Sequence, residues 1–127
     1  MVKLVEKTVY TKQKPYDLED RTYRFAVDVR TFLRSIPNNI EIMDDKKQVL
    51  RSSGSIGANY IEANECLGKK DFLMRIKISR KEAKESNYWL RLMAPFLEKN
   101  IKSECEMLIQ ESREITHIFG AILEKSK

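Results

Sequence analysis

The sequence predicts an all-α protein built as an antiparallel up-down-up-down four-helix bundle, and three observations support that expectation. In four successive stretches the apolar residues recur at alternating steps of four and three, which places them on one helix face. Only four glycines and three prolines occur in 127 residues, too few for the turns of a β fold. Short breakers separate the stretches, so consecutive helices become antiparallel neighbours.

Residues 1–16 are polar with scattered Val and Leu and close at Pro15; a flexible N-terminal arm is expected there, with residues 17–127 as the bundle. Asp17 reads as an N-cap, followed by Glu19 and Asp20 in a first turn whose dipole favours acids. Leu18, Thr22, Phe25, Val29 and Phe32 then mark the first helix, which Ser35-Ile36-Pro37-Asn38-Asn39 ends.

The second helix is expected to start between Asn39 and Asp44 and to reach Leu67, with Gly68 as its C′ stop. Its centre holds Gly54 and Gly57, each costing about 1 kcal/mol against alanine in a helix interior. A loop at this point would give five shorter helices instead. Ile56, Tyr60, Ala63 and Leu67 keep helical spacing through the stretch, which favours a continuous helix that lets another backbone come close.

The third helix has the clearest seam, at Phe72, Ile76, Ser79, Ala83, Ser86, Leu90, Met93 and Leu97, and Pro95 should kink or end it. In an antiparallel pair joined at Gly68, facing residue numbers sum to about 136. Gly54, Gly57 and Ala58 are then expected opposite Ser79 and Ala83. Asn100 closes the next turn, and Ser103 with Glu106 reads as a capping box for the fourth helix. Ile101, Cys105, Leu108, Ser112, Ile115, Phe119 and Ile122 are its stripe.

Charged residues make up 34% and hydrophobic residues 42%, the balance of a folded domain. No apolar run approaches the ~20 residues of a membrane span, and the start lacks the pattern of a secretory signal. The expectation is a cytoplasmic protein without membrane contact. Cys66 and Cys105 stand apart from each other and from any histidine, so neither zinc nor another cofactor is expected. About 25 helical residues place them roughly 37 Å apart, far beyond the ~7 Å a disulfide spans between Cα atoms.

The formal charge of +5 is unevenly spread. Residues 69–91 hold eight basic and three acidic residues, a net charge equal to that of the whole chain. Within them Lys70, Lys77, Lys84 and Arg91 recur at every seventh position, drifting only ~20° per step, with Lys81 and Tyr88 beside the row. A cationic stripe about 30 Å long suits a nucleic-acid backbone. A merely solvated face is the competing reading, and the concentration of charge favours the patch.

Arg51, Asn59, Glu62, Arg80 and Glu85 are expected along the seam of the second and third helices, with Arg51 and Glu85 paired. They lack a nucleophile beside a base, so a structural role in fixing register outweighs catalysis. His117 falls one step off the fourth helix's stripe and reads as a rim residue. Trp89, Tyr88, Leu92 and Phe96 form a second apolar flank on the third helix, suited to self-association.

The stretch Arg51-Ser52-Ser53-Gly54-Ser55-Ile56-Gly57-Ala58-Asn59-Tyr60-Ile61-Glu62-Ala63 resembles the signature of the four-helix-bundle family of 23S rRNA-intervening sequence proteins. A second block, Lys70-Asp71-Phe72 and residues 78–90, resembles it too, as does Phe25-Ala26. The likeness spans about residues 17–120. It implies a ring-shaped homo-oligomer, typically a pentamer. It also implies kinship with the accessory variability determinant proteins of diversity-generating retroelements, which bind nucleic acid and a reverse transcriptase. Two functions are therefore expected in competition: a non-catalytic oligomer that binds DNA or RNA, or a scaffold for a protein such as a reverse transcriptase. An enzyme is a distant third.

Overall fold

A computed structural model describes residues 18–127; the N-terminal arm and the Asp17 cap lie outside the described residues. Four helices follow in order: α1 (Leu18–Arg34), α2 (Met43–Glu65), α3 (Lys69–Met93) and α4 (Lys99–Lys125). A single 3-10 turn, Ala94–Phe96, joins α3 to α4. No strand occurs among the described residues.

The contacts fix the directions. Thr22 meets Gly57 and Arg30 meets Gly54, so α1 and α2 run antiparallel. Ser52 pairs with Ser86 and Asn59 with Arg75, which sets α2 against α3 in the same sense. Cys105 bonds to Leu90 and Asn87 to Ser112, which does so for α3 and α4. Arg21 on Glu111 closes the square by bringing α4 beside α1. The result is an up-down-up-down bundle. Its core includes Phe25, Val29, Val49, Ile56, Ile76, Leu90, Leu108, Ile115 and Phe119, all fully buried. Each such side chain contributes about 1.5–3 kcal/mol through its loss of contact with water.

Several ends depart from expectation. Gly68 does not stop α2 in a left-handed conformation: its φ of −118° and ψ of 153° are extended, and it stands as the N-cap of α3. Cys66, also extended, ends α2 instead. The Ser103 capping box does not form, because α4 already starts at Lys99 from an extended Glu98. Ser103 is an exposed interior residue and Asn100 lies in the first turn. The turn made by Pro95 brings the chain round sooner than the local motif suggests. Pro95 itself ends α3 at Met93, two residues before the ring that cannot donate.

The small residues of α2 are shared between two neighbours. The glycines face α1: a Cβ on Gly57 would lie 2.9 Å from Thr22 Oγ1, and one on Gly54 would lie 3.1 Å from the Arg30 guanidinium. Ala58 is exposed. Ser53 also faces α1, accepting from Arg30 Nη1 at 3.4 Å, whereas Ser52 and the Ile56 carbonyl face α3. Ser52 Oγ and Ser86 Oγ are 2.7 Å apart, and Ser79 Oγ donates to the Ile56 carbonyl at 2.9 Å. All three hydroxyls are fully buried, and each has a partner. The α2–α3 approach is therefore close, but it is hydroxyl-lined rather than glycine-lined.

Candidate nucleic-acid interface

One side of α3 is committed to the core. Ile76, Ser79, Ala83, Ser86, Leu90 and Met93 are buried there, so the opposite helical phase faces solvent. Lys70, Lys77, Lys81, Lys84 and Arg91 lie on that open side and are all exposed. Lys77, Lys81, Lys84, Tyr88 and Arg91 follow one another at steps of four and three, one side chain per turn, ~5–6 Å from Cβ to Cβ. Lys77, Arg80, Lys81, Lys84, Glu85 and Tyr88 line a shallow groove of about 400 Å³.

Two of the three acids of the basic segment, Glu82 and Glu85, are tied to α2, while Asp71 stays exposed at the start of α3. Glu82 is buried, and Arg51 of α2 reaches over to it, Nη1 to Oε1 at 3.2 Å. The same guanidinium holds Glu85 through Nη2 at 3.0 Å. The Glu82 hydrogen bond raises the Arg51 pKa above its ordinary value, against the opposing cost of desolvation, and Glu85 adds to the rise. Arg51 is thus a fixed cation serving two carboxylates. The five cations of the outer row, by contrast, make no ion pair among the described residues. The field that α3 presents outward is positive.

Tyr88 belongs to this row rather than to the apolar flank. Its side chain is 52% exposed and its ring meets Trp89 edge-on, centroids 5.2 Å apart at 69°. Trp89 is half-buried against the core. Apolar side chains open near it are Leu92 on α3 and Phe96 in the following turn, the last 56% exposed, while Met74 is open about four turns earlier on α3.

The five residues expected to share the α2–α3 seam do not form one cluster. Arg51 and Glu85 meet. Asn59 Oδ1 accepts from Arg75 Nη1 at 2.9 Å, a partner that numbering alone did not single out. Glu62 is exposed on α2. Arg80 lies on the other flank of α3, its Nε 3.8 Å from where a Gly120 Cβ would sit. The reason is helical phase: one step beyond the buried Ser79, Arg80 is rotated toward α4 rather than α2. His117 is exposed and shares with Lys77, Arg80, Gly120 and Lys127 a second groove of about 520 Å³ between α3 and α4.

A clamp between the first and last helices had no signal in the sequence. Arg21 donates to both Glu111 oxygens, Nε at 2.7 Å and Nη2 at 2.9 Å, and to Glu114 at 2.8 Å. The Glu111 hydrogen bond outweighs desolvation and raises the Arg21 pKa. Glu111 and Glu114 do share a helix face, but a separation of 90 residues hides their partner.

Among the described residues no three His, Cys, Asp or Glu side chains gather to hold a metal, and no helix is long and apolar enough to cross a membrane. What the surface offers is positive charge in a regular row beside an open aromatic ring. Such an arrangement can neutralise and position a polyanion.

Fold and surface together define a small helical bundle with a cationic third helix. The profile of the 23S rRNA-intervening sequence proteins matches residues 14–120, and the chain belongs to that family. It is also similar to a solved structure from Bacteroides thetaiotaomicron, a protein with unknown function from the S23 ribosomal protein family. The two share 30% identity over 84% of this chain and 98% of the other, with a TM-score of 0.74. No curated protein matches the chain.

Proposed function

We propose that the protein is a non-catalytic, cytoplasmic oligomer that associates with nucleic acid through the outer face of α3. One observation supports this reading above the others. A segment holding a charge equal to the chain's whole excess has two of its three acids, Glu82 and Glu85, held by Arg51 of α2, and leaves five cations exposed without an ion pair among the described residues. Contacts from Lys70, Lys77, Lys81, Lys84 and Arg91 would fall on phosphates, so binding is salt-sensitive and indifferent to base sequence. Assembly into a ring, with five copies as the expected number, repeats the face around one particle. The open Met74, Leu92 and Phe96 side chains supply apolar surface for that assembly.

The test is a titration of the intact protein with labelled DNA and RNA, single-stranded and duplex, at low and at moderate salt. Lys77→Gln with Lys84→Gln should weaken binding across all sequences and flatten the log–log salt slope by about one unit per lost contact. Both side chains are exposed, so fold and assembly should survive. Absence of binding at low salt would favour the second reading, for which the same apolar side chains speak: a scaffold that docks a protein partner, a reverse transcriptase among the candidates.

A further inference from the structure

A row of cations alone does not distinguish one polyanion from another, because duplex and single strand both offer phosphates. The distinguishing element in the row is Tyr88. It interrupts the lysines in phase with them: Lys84 stands four residues before it, Lys81 seven before it and Arg91 three after it. All four side chains are therefore on adjoining turns of one face. Tyr88 lines the same groove as Lys77, Lys81 and Lys84.

Tyr88 is half open to water and has one aromatic neighbour among the described residues. Here the neighbour is Trp89, and at an interplanar angle of 69° the contact is edge to face. An edge-to-face contact covers at most one face of the Tyr88 ring, so at least one face is left free by Trp89. Trp89 is in turn packed against the core, which gives the pair a firm base.

We infer that Tyr88 is a stacking platform and that the α3 face prefers single-stranded nucleic acid to duplex; this rests on the nucleic-acid reading proposed above. The chemistry is direct. In a duplex the base faces are already stacked on one another, so only phosphates reach the row. An unpaired strand offers phosphates to Lys77, Lys81, Lys84 and Arg91 and a free base to the ring between them. Stacking of this kind tolerates any base and adds to the electrostatic attraction rather than replacing it. Tyr88 thus converts a general phosphate-binding face into one that discriminates by strandedness.

The experiment compares the affinity of the intact protein for a labelled oligothymidylate strand and for a labelled mixed-sequence duplex of equal length, at matched salt. The wild type is expected to bind the strand more tightly. Tyr88→Ala should lose about five- to a hundredfold in strand affinity, with duplex affinity unchanged. Tyr88→Phe keeps the ring and should keep the preference, while thermal melting of both variants checks the fold. Equal affinities of the wild type for strand and duplex would overturn the inference, as would an equal loss for both ligands in Tyr88→Ala. Either result leaves the phosphate reading standing. No binding of either ligand at low salt would overturn that reading and this inference with it.

Discussion

Cys105 shows how far one position can differ chemically from its twin. Its thiol is fully buried and donates to the Leu90 carbonyl at 3.3 Å, whereas Cys66 lies half-buried at the end of α2; both are free thiols. Burial, helped by the nearby Glu106 charge, pushes the Cys105 pKa from 9.0 to about 12. A thiolate is the reactive form, so a thiol reagent at mildly alkaline pH should modify Cys66 in the native protein and Cys105 only after unfolding. Reaction of both thiols in native protein at equal rates would contradict the burial. The same shift has a sign for stability. The unfolded chain loses this proton near pH 9 while the folded chain holds it to about 12, so the contribution is complete below 9 and is lost across that interval. Relative to Cys105→Ala, the wild type should lose stability over that pH range in denaturant melts.

At the level of the helix, α2 carries small residues toward two neighbours. Gly57 and Gly54 look equivalent in the sequence, yet their surroundings are not. A methyl group at Gly57 would press on Thr22, which is fully buried and tied by its own hydroxyl to the Glu19 carbonyl. At Gly54 it would meet the movable end of Arg30. Alanine gains about 1 kcal/mol of helix propensity at either site, but overpacking costs about 1–3 kcal/mol where the neighbour cannot move. Gly57→Ala should therefore lower the melting temperature and Gly54→Ala leave it unchanged or raise it; the opposite order would show that α1 does not approach α2 as described. Periodicity revealed the four helices, and the antiparallel register predicted the Arg51–Glu85 pair at its observed place. It did not reveal which partner each small residue meets. A stripe pattern gives the phase of a residue on its own helix, whereas assignment to α1 or α3 depends on how the whole bundle closes. The same limit explains Arg80, expected toward α2 and found beside Gly120, and Ser103, whose local capping pattern lost to an earlier turn. Exposure of the α3 cations was legible because it follows from that helix's own phase.

For the whole molecule, the open apolar side chains beside the cationic face bear on assembly. Leu92 and Phe96, four residues apart at the end of α3 and in the turn after it, remain accessible in the single chain and offer apolar surface for the proposed assembly. Light scattering on the purified protein should report a multiple of 15.0 kDa, with the pentamer as the expected species. A monomer at micromolar concentration would remove the ring from the proposal and leave the face on α3 as a single copy. Asp substitution at Leu92 and Phe96 together should break the assembly while leaving helicity intact, since neither is in the core. The Tyr88–Trp89 contact has a practical side as well. Trp89 is the sole tryptophan of the chain, and Tyr88 lies against its ring. The indole emission of the native protein therefore comes from one place, beside Tyr88. Whatever settles on Tyr88, whether a base, a peptide or another subunit, alters the surroundings of that single fluorophore. The protein can report occupancy of this face by its own light, with no label attached.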